Sequence, residues 1–358
     1  MTLSLDEKLN DLVGTFQKCL EAPEPFQDDE EKETCRKLVE ALPDDLVDHA
    51  ANTSYAYWYL TSKPETCPSE EVKIATAMRE ARRHLAYQGN NFDKALNNFT
   101  ESCKYRKDQQ LDLLRVCFNK DLDEKDREKA QEMAKQIEDD LSKQIVIMRG
   151  QDKGGRPTMI KFARMEEGTE EEPYVLAQIY VADRSTATAE FLSLGTEERS
   201  FAVYDYNGFE SKNSPTVQAQ IKAATLLQKL YPERLQTLVM VEPPFWLRGL
   251  MTLLGPFLSE SITERIKMAS GEEEKETVFG ACMEPENSIP LLLKDAKLGS
   301  GVSLGHYLED VPYYCLYDDV PCNRSPDEIK STDVTVDTQS LTSSLWGSLT
   351  GSFTGTTA

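Results

Sequence analysis

Residues 231–266 read YPERLQTLVMVEPPFWLRGLMTLLGPFLSESITERI, and the fold follows from this stretch. The run from Leu235 to Val241 is mostly apolar, which is typical of a strand that is buried on both faces of a sheet. Glu242, Pro243 and Pro244 end this strand, because proline cannot donate to a ladder and restricts the residue before it.

The segment that follows, residues 245–258, is apolar on almost every side and carries Arg248 as its only charge. A helix on a protein surface normally shows a polar face, and this segment has almost none. The two prolines, Glu242 and Arg248 interrupt the run, which therefore falls short of the roughly 20 apolar residues that span a bilayer. Two interpretations stay open: a core helix, or a mobile apolar lid over a hydrophobic cavity.

The composition limits the classes of function. The chain has 358 residues, is 39% hydrophobic, and has a formal net charge of −22 at pH 7. So acidic a chain is unsuited to nucleic acid and lacks the polybasic clusters that anchor proteins to anionic lipids. The first residues, MTLSLDEKLNDL, do not form a signal peptide, and the scattered cysteines show no C-x-x-C pair. We therefore expect a cytoplasmic protein with reduced thiols.

Hydrophobic periodicity divides the chain into parts. Residues 1–143 show helical spacing, and the mixed-sign run 122–142 indicates a solvated helix. From residue 144 the period changes: a hairpin around D-K-G-G is followed by alternating helices and strands. These elements are predicted at 173–194, 201–206, 217–230, 235–241 and 266–269, with a closing segment at 288–293.

This alternation predicts an α/β fold with a mostly parallel sheet of five to six strands, preceded by an all-helical N-terminal region. The predicted units are 1–143, 144–322 and a disordered Ser/Thr-rich tail at 323–358.

The sequence shows no convincing catalytic or metal-binding set. The histidines are only His49, His84 and His306, and they lack the spacing of zinc ligands. Residues 301–305 match G-x-S-x-G, but neither a buried strand before the serine nor the usual acid and histidine order is present. We predict no catalytic residues, no metal and no enzymatic activity.

The stretch quoted above resembles the CRAL-TRIO family of lipid-binding and lipid-transfer proteins. The resemblance rests on YPERL, the buried strand, the proline and P-F-L pattern, and a Thr/Ser segment that ends in a basic residue and Ile266. Residues 80–106 also resemble the helical extension that precedes this domain, through Arg83, Leu85, Lys94, Ala95, Leu96, Tyr105 and Arg106. The resemblance covers about residues 80–300.

The resemblance implies a sheet that floors a hydrophobic cavity, closed by an apolar gate helix. A gate is physically necessary, because an acyl chain gains about 0.8 kcal/mol per buried CH₂ and would rarely leave the cavity into water. The lipid must pass directly between cavity and bilayer. The residues implied to contact the membrane are Phe245, Trp246, Leu250, Leu253, Leu254 and Phe257.

The resemblance also implies a set of head-group residues. The family's acidic and basic positions fall on Glu233, Arg234 and Arg265, although Glu233 and Arg234 could equally form a structural ion pair under the gate. A basic pair and a threonine that bind phosphatidylinositol fall on Gln88, Gly89 and Ile262. These substitutions remove charge-assisted bonds to an inositol phosphate, which argues against phosphatidylinositol transfer.

The predicted function is non-catalytic binding and exchange of a single phospholipid or other hydrophobic ligand by a protein that contacts membranes transiently. The bound lipid is the only cofactor expected, and nucleic acid is not a predicted partner. The alternative is a hydrophobic-ligand sensor or scaffold that acts through protein partners, with the acidic loop 166–172 or the tail as contacts.

Overall fold

The computed structural model describes residues 5–118, 122–141, 145–162, 170–207, 209–210, 214–254 and 260–283. The predicted closing segment at 288–293, the tail at 323–358, Phe257 and most of the acidic loop 166–172 lie outside these residues.

The N-terminal region is helical, as predicted. Its helices are Leu5–Asn10 (α1), Leu12–Leu20 (α2), Asp29–Glu40 (α3), Asp44–Ala51 (α4), Tyr55–Thr61 (α5), Glu70–Tyr87 (α6), Phe92–Asp108 (α7), Leu111–Leu114 (α8) and Glu124–Leu141 (α9). Side-chain oxygens of Asp28, Ser54, Ser69 and Asn91 accept hydrogen bonds from backbone N–H groups at the starts of α3, α5, α6 and α7. Such caps satisfy donors that have no partner within the helix.

Leucine and aromatic side chains at helical spacing form the core of this region. Leu38, Leu42 and Leu46 are buried against Leu85 of α6 and Phe99 of α7. The charged helix α9 differs from the sequence prediction, because it is not solvated all round. Its Ala130, Met133 and Ile137 are buried in the core that it shares with the α/β part.

The α/β part contains one sheet in the described residues. Its strands are Ile145–Gln151 (β1), Pro157–Phe162 (β2), Ser200–Asp205 (β3), Leu235–Val241 (β4) and Ile266–Ala269 (β5), in the order β1-β2-β3-β4-β5. Strands β1 and β2 form the predicted antiparallel hairpin, and β2 to β5 run parallel. In the hairpin turn, Asp152 accepts from the backbone N–H groups of Gly154 and Arg156.

The remaining helices are Glu171–Ser193 (α10), Val217–Leu230 (α11), Phe245–Leu254 (α12), Glu260–Arg265 (α13) and Gly271–Cys282 (α14). Helix α10 is buried on almost every side, because it contacts α9 and α11 as well as β2, β3 and the N-terminal helices α2 and α5. The predicted mixed α/β class with a helical N-terminal region is thus confirmed.

The N-terminal helices dock on the end of α10. The ring centroid of Phe16 lies 5.7 Å from that of Phe191. The Glu190 carboxylate accepts from the backbone N–H groups of Tyr55, at 2.8 Å, and Ala56, at 3.3 Å, so a residue of α10 caps α5. Gly195 follows α10 with a φ of +78°, and a Cβ there would lie 2.2 Å from the carbonyl oxygen of Cys19. Only glycine permits this approach.

Candidate functional site

Helix α12 follows the carboxyl end of β4 after a turn that contacts of Glu242 hold in place. Glu242, with a φ of +48°, donates its backbone N–H to the carbonyl oxygen of Ala269 at 2.9 Å. Its carboxylate accepts from the backbone N–H of Gly271 and pairs with Lys275, both at 3.0 Å. These contacts fix the point from which α12 starts.

The inner face of α12 packs on the sheet. Leu247 is 3% exposed and lies in one apolar cluster with Met240 of β4. Partly buried apolar side chains surround this pair: Tyr206, Ile221, Leu238, Trp246, Met251, Ile266 and Met268. The Trp246 ring also contacts Phe209, with centroids 5.8 Å apart. Helix α12 therefore packs directly against the sheet.

The outer face of α12 is apolar where the structure describes it. Phe245 is 89% exposed, and Gly249 beside it is exposed too. An exposed phenylalanine at the start of such a helix contributes nothing to the protein core. The side chains of Leu250, Leu253 and Leu254 lie outside what the structure describes.

Two of the three predicted head-group residues lie together. Arg265, at the end of α13, donates from Nη2 to a Glu233 carboxylate oxygen and from Nη1 to the carbonyl oxygen of Leu235 at 2.6 Å. Glu233 precedes β4 and has a φ of +58°. This ion pair thus joins the amino end of β4 to the segment that leads from α12 into β5.

Arg234 is directed elsewhere. Its Nη1 donates to Glu198 at 2.8 Å and its Nη2 to Glu80 at 3.1 Å, and its side chain is 8% exposed. It is therefore part of a buried cluster of charges that connects α6 with the α/β part. Glu233 and Arg234 therefore form ion pairs with different residues.

Glu80 is at the centre of this cluster and is only 1% exposed. Arg83 donates to it at 2.7 Å, and Nε2 of His84 lies 3.5 Å from its other oxygen. Burial by itself would raise the pKa of Glu80, but Arg83, His84 and Arg234 together hold that pKa well below its usual range. The sequence reasoning missed Glu80, although it lies at helical spacing from the buried residues Thr76, Ala77 and His84.

A cleft of about 530 Å³ opens at the amino ends of the parallel strands, beside Glu233. Its walls come from α6, from the loop before β3 and from the linker between α2 and α3. The lining residues are Pro23, Glu24, Pro25, Arg79, Arg82, Arg83, Ala86, Gly195, Thr196, Glu197, Glu198, Arg199 and Glu233.

The positions that depart from the family's phosphatidylinositol pattern have structural roles. Gln88 is the C-cap of α6, and Gly89 follows with a φ of +60° in the turn to α7. Ile262 lies half-buried on α13. A side chain at Gly89 would meet open space, but its backbone conformation favours glycine.

Two other kinds of feature, a metal site and a membrane-spanning helix, are absent from the described residues. No group of three or more His, Cys, Asp or Glu residues there is arranged to hold a metal ion. None of the helices in the same part of the chain is long and apolar enough to cross a membrane.

One comparison with known protein families agrees with the sequence resemblance. Residues 141–286 match the family model described as the CRAL/TRIO domain. This match confirms the resemblance that the YPER stretch indicated. The structure is also similar to the crystal structure of Sfh5, with 17% sequence identity, a TM-score of 0.46, and coverage of 68% of this chain and 81% of that chain. No curated protein matches the sequence.

Proposed function

We propose that this protein binds one phospholipid, or another hydrophobic ligand of similar size, and exchanges it with membranes without chemical change. The observation that carries the proposal is the arrangement of α12: Leu247 is buried on the sheet, whereas Phe245 is 89% exposed. The CRAL/TRIO match of residues 141–286 supports a lipid-binding function.

In the proposed cycle, α12 is the gate. Its inner side chains now fill the space over β4 and β5, as expected for a closed state. Opening would expose Leu247, Trp246 and Met251 and leave room for acyl chains on the sheet. Each CH₂ buried there contributes about 0.8 kcal/mol, which compensates for the apolar contacts that α12 gives up.

Membrane contact in this cycle is local and apolar. Phe245 would enter the bilayer first, followed by Trp246 and the predicted contacts Leu250, Leu253, Leu254 and Phe257. With a net charge of −22, the protein is expected to dissociate readily from anionic membranes after exchange. This gives a transient association from the cytoplasm.

Among the head-group candidates, Glu233 and Arg265 are the pair that we assign to the ligand. Their ion pair closes the end of the gate segment, and Glu233 also lines the cleft. We assign Arg234 to structure, because both its terminal nitrogens donate to carboxylates inside the protein.

Native mass spectrometry of the purified full chain, followed by lipid extraction, is the direct test of binding. One bound lipid per chain is expected, and extraction identifies its head group. Transfer is then measured between labelled donor vesicles and unlabelled acceptor vesicles. Trp246→Asp should reduce the transfer rate at least about tenfold, because Trp246 leaves the sheet when α12 opens and a charge there opposes insertion.

Thermal unfolding of the Trp246→Asp protein provides the control for folding. A folded variant that transfers lipid as fast as wild type would refute the gate. A wild-type protein that carries no lipid and takes none up from vesicles would refute binding altogether.

A further inference from the structure

Helix α6 presents a basic stripe to the cleft defined above. Arg79, Arg82, Arg83 and Ala86 are three and four positions apart, so they share one face of the helix. Arg199 approaches from the loop before β3. The volume of about 530 Å³ is within the range of roughly 300–1,000 Å³ that holds small molecules. Such a concentration of guanidinium groups is unusual in a protein with a net charge of −22.

Every carboxylate that lines the cleft already has a cationic partner. The pairs are Glu24–Lys32, Glu197–Arg156, Glu198–Arg234 and Glu233–Arg265. The acidic residues of the cleft are therefore neutralised by the protein itself.

Arg79 is different. Its Nη2 donates to the backbone carbonyl oxygens of Ala22 and, at 3.2 Å, Pro23, and in the described part of the chain it forms no ion pair. Burial lowers the pKa of Arg79, while Glu190 and Glu24 oppose that shift from a distance. A partly buried guanidinium held only by carbonyl oxygens is incompletely compensated, and an anion in the cleft would compensate it.

Arg82 also has donors to spare. Its Nε donates to Glu31 at 3.1 Å, and its terminal nitrogens have no partner among the described residues. Arg79 and Arg82 thus have donors to spare on the α6 wall, whereas Arg199 on the opposite wall donates from Nε and Nη2 to Glu197, both at 2.9 Å. A planar carboxylate satisfies one guanidinium fork, whereas a tetrahedral phosphate presents oxygens to several forks at once.

We propose that this cleft is a second ligand site, which binds the phosphate group of a phosphorylated small molecule through Arg79 and Arg82. The neighbouring exposed Thr196 suits a hydroxyl group on the same ligand. The site lies at the amino ends of the strands, whereas α12 starts from the carboxyl end of β4. It shares the lining residue Glu233 with the proposed head-group pair, but its proposed phosphate contacts are other residues.

The test is calorimetric titration of the full chain with inorganic phosphate and with glycerol 3-phosphate, at constant ionic strength set by chloride. Saturable binding is expected. Arg79→Met should weaken it roughly ten- to hundredfold, because a charge-assisted bond is lost while the aliphatic stem is kept. Arg79→Lys should recover part of the affinity. The matched control is Arg36→Met on the exposed face of α3, which should bind like wild type.

A parallel arm distinguishes a soluble ligand from a lipid head group. Flotation with phosphatidylcholine vesicles that contain or lack phosphatidic acid should show Arg79-dependent binding if the phosphate belongs to a lipid. Should Arg79→Met unfold, Arg82→Met provides the same test without touching the linker. Binding in neither arm, or equal binding by wild type and the folded variants, would overturn the site. Because transfer between vesicles is measured separately, failure of this site leaves the proposed carrier function intact.

Discussion

Glu80 shows how much a single buried carboxylate can determine in this molecule. It lies between the guanidinium groups of Arg83 and Arg234, at 2.7 and 3.1 Å, and is 1% exposed. These two buried cations share Glu80 and also pair with Glu198. Removing one partner of such a group leaves uncompensated buried charge, which costs far more than the ion pair itself contributes.

We therefore expect Glu80→Gln to lower the free energy of unfolding by about 3–5 kcal/mol. Thermal unfolding should record a decrease of about 5–15 °C. Glu33→Gln is the matched control, because Glu33 also pairs with an arginine but on the surface. That control should leave the midpoint unchanged. Equal midpoints for the two variants would show that Glu80 is not the centre of the cluster.

At the scale of the element, α12 separates stability from the proposed membrane contact. Phe245 is 89% exposed, whereas Leu247, two positions later on the same helix, is 3% exposed. A helix that served only as core would bury its first aromatic residue or replace it with a polar one. This difference makes the core-packing role of α12 and its proposed membrane role separable by mutation.

Phe245→Asp should leave thermal stability within about 0.5 kcal/mol of wild type, since an exposed side chain makes few native contacts. It should nevertheless reduce cosedimentation with phosphatidylcholine vesicles and slow lipid transfer. Leu247→Ala, by contrast, should lower the free energy of unfolding by about 2–4 kcal/mol, because it leaves a cavity over β4. A Phe245→Asp protein with normal vesicle binding would contradict the membrane role of this face.

At the scale of the whole molecule, the N-terminal helices and the α/β part share a core. Phe16 is completely buried, with ring centroids 4.7 Å from Tyr59 and 5.7 Å from Phe191 of α10. Arg115 of the helical region pairs with Asp183 of α10 through two bonds, at 2.8 and 2.9 Å. Contacts of this kind couple the unfolding of the two parts.

Phe16→Ala should accordingly destabilise the whole molecule by about 3–5 kcal/mol. Differential scanning calorimetry should show one transition, shifted as a unit. Val217, the exposed first residue of α11, is the control position, and Val217→Ala should have little effect. Two transitions, with only the first one shifted, would show that residues 1–143 unfold independently.

The buried ion pairs between the two parts also make the stability of the protein depend on pH. Burial would raise the pKa values of Glu80 and Asp183, but Arg83 and Arg115 respectively hold both below their usual range. Because the pKa is lower in the folded state, the unfolded chain binds protons first as the pH falls. The stabilisation is complete above about pH 5.5 and is lost as the pH falls through about 4.5 and below.

Urea unfolding at several pH values tests this dependence. The difference in free energy of unfolding between wild type and Glu80→Gln should be constant above about pH 5.5 and should shrink below about pH 4.5. A difference that stays constant at pH 3.5 would mean that Glu80 is not held ionised by its partners.

The sequence by itself determined most of the elements and the resemblance to the CRAL/TRIO domain. The hairpin, α11 at 217–230, β4 at 235–241 and β5 at 266–269 were all predictable, since period-two and period-3.6 patterns report which faces are buried. The YPER stretch and its surroundings indicated the CRAL/TRIO domain, which the match of residues 141–286 confirmed. The candidate gate helix was predictable for the same reason, because an almost wholly apolar helix stands out in any linear pattern.

Only the tertiary structure decided which charged residues meet. Glu80, Glu198 and Arg234 come from α6, from the loop before β3 and from the start of β4, and no local spacing connects them. The same is true of α9, whose buried Ala130, Met133 and Ile137 are hidden among charged neighbours in the sequence. The physical reason is that ion pairs and burial depend on distances across the fold, whereas periodicity reports only the environment of one element at a time.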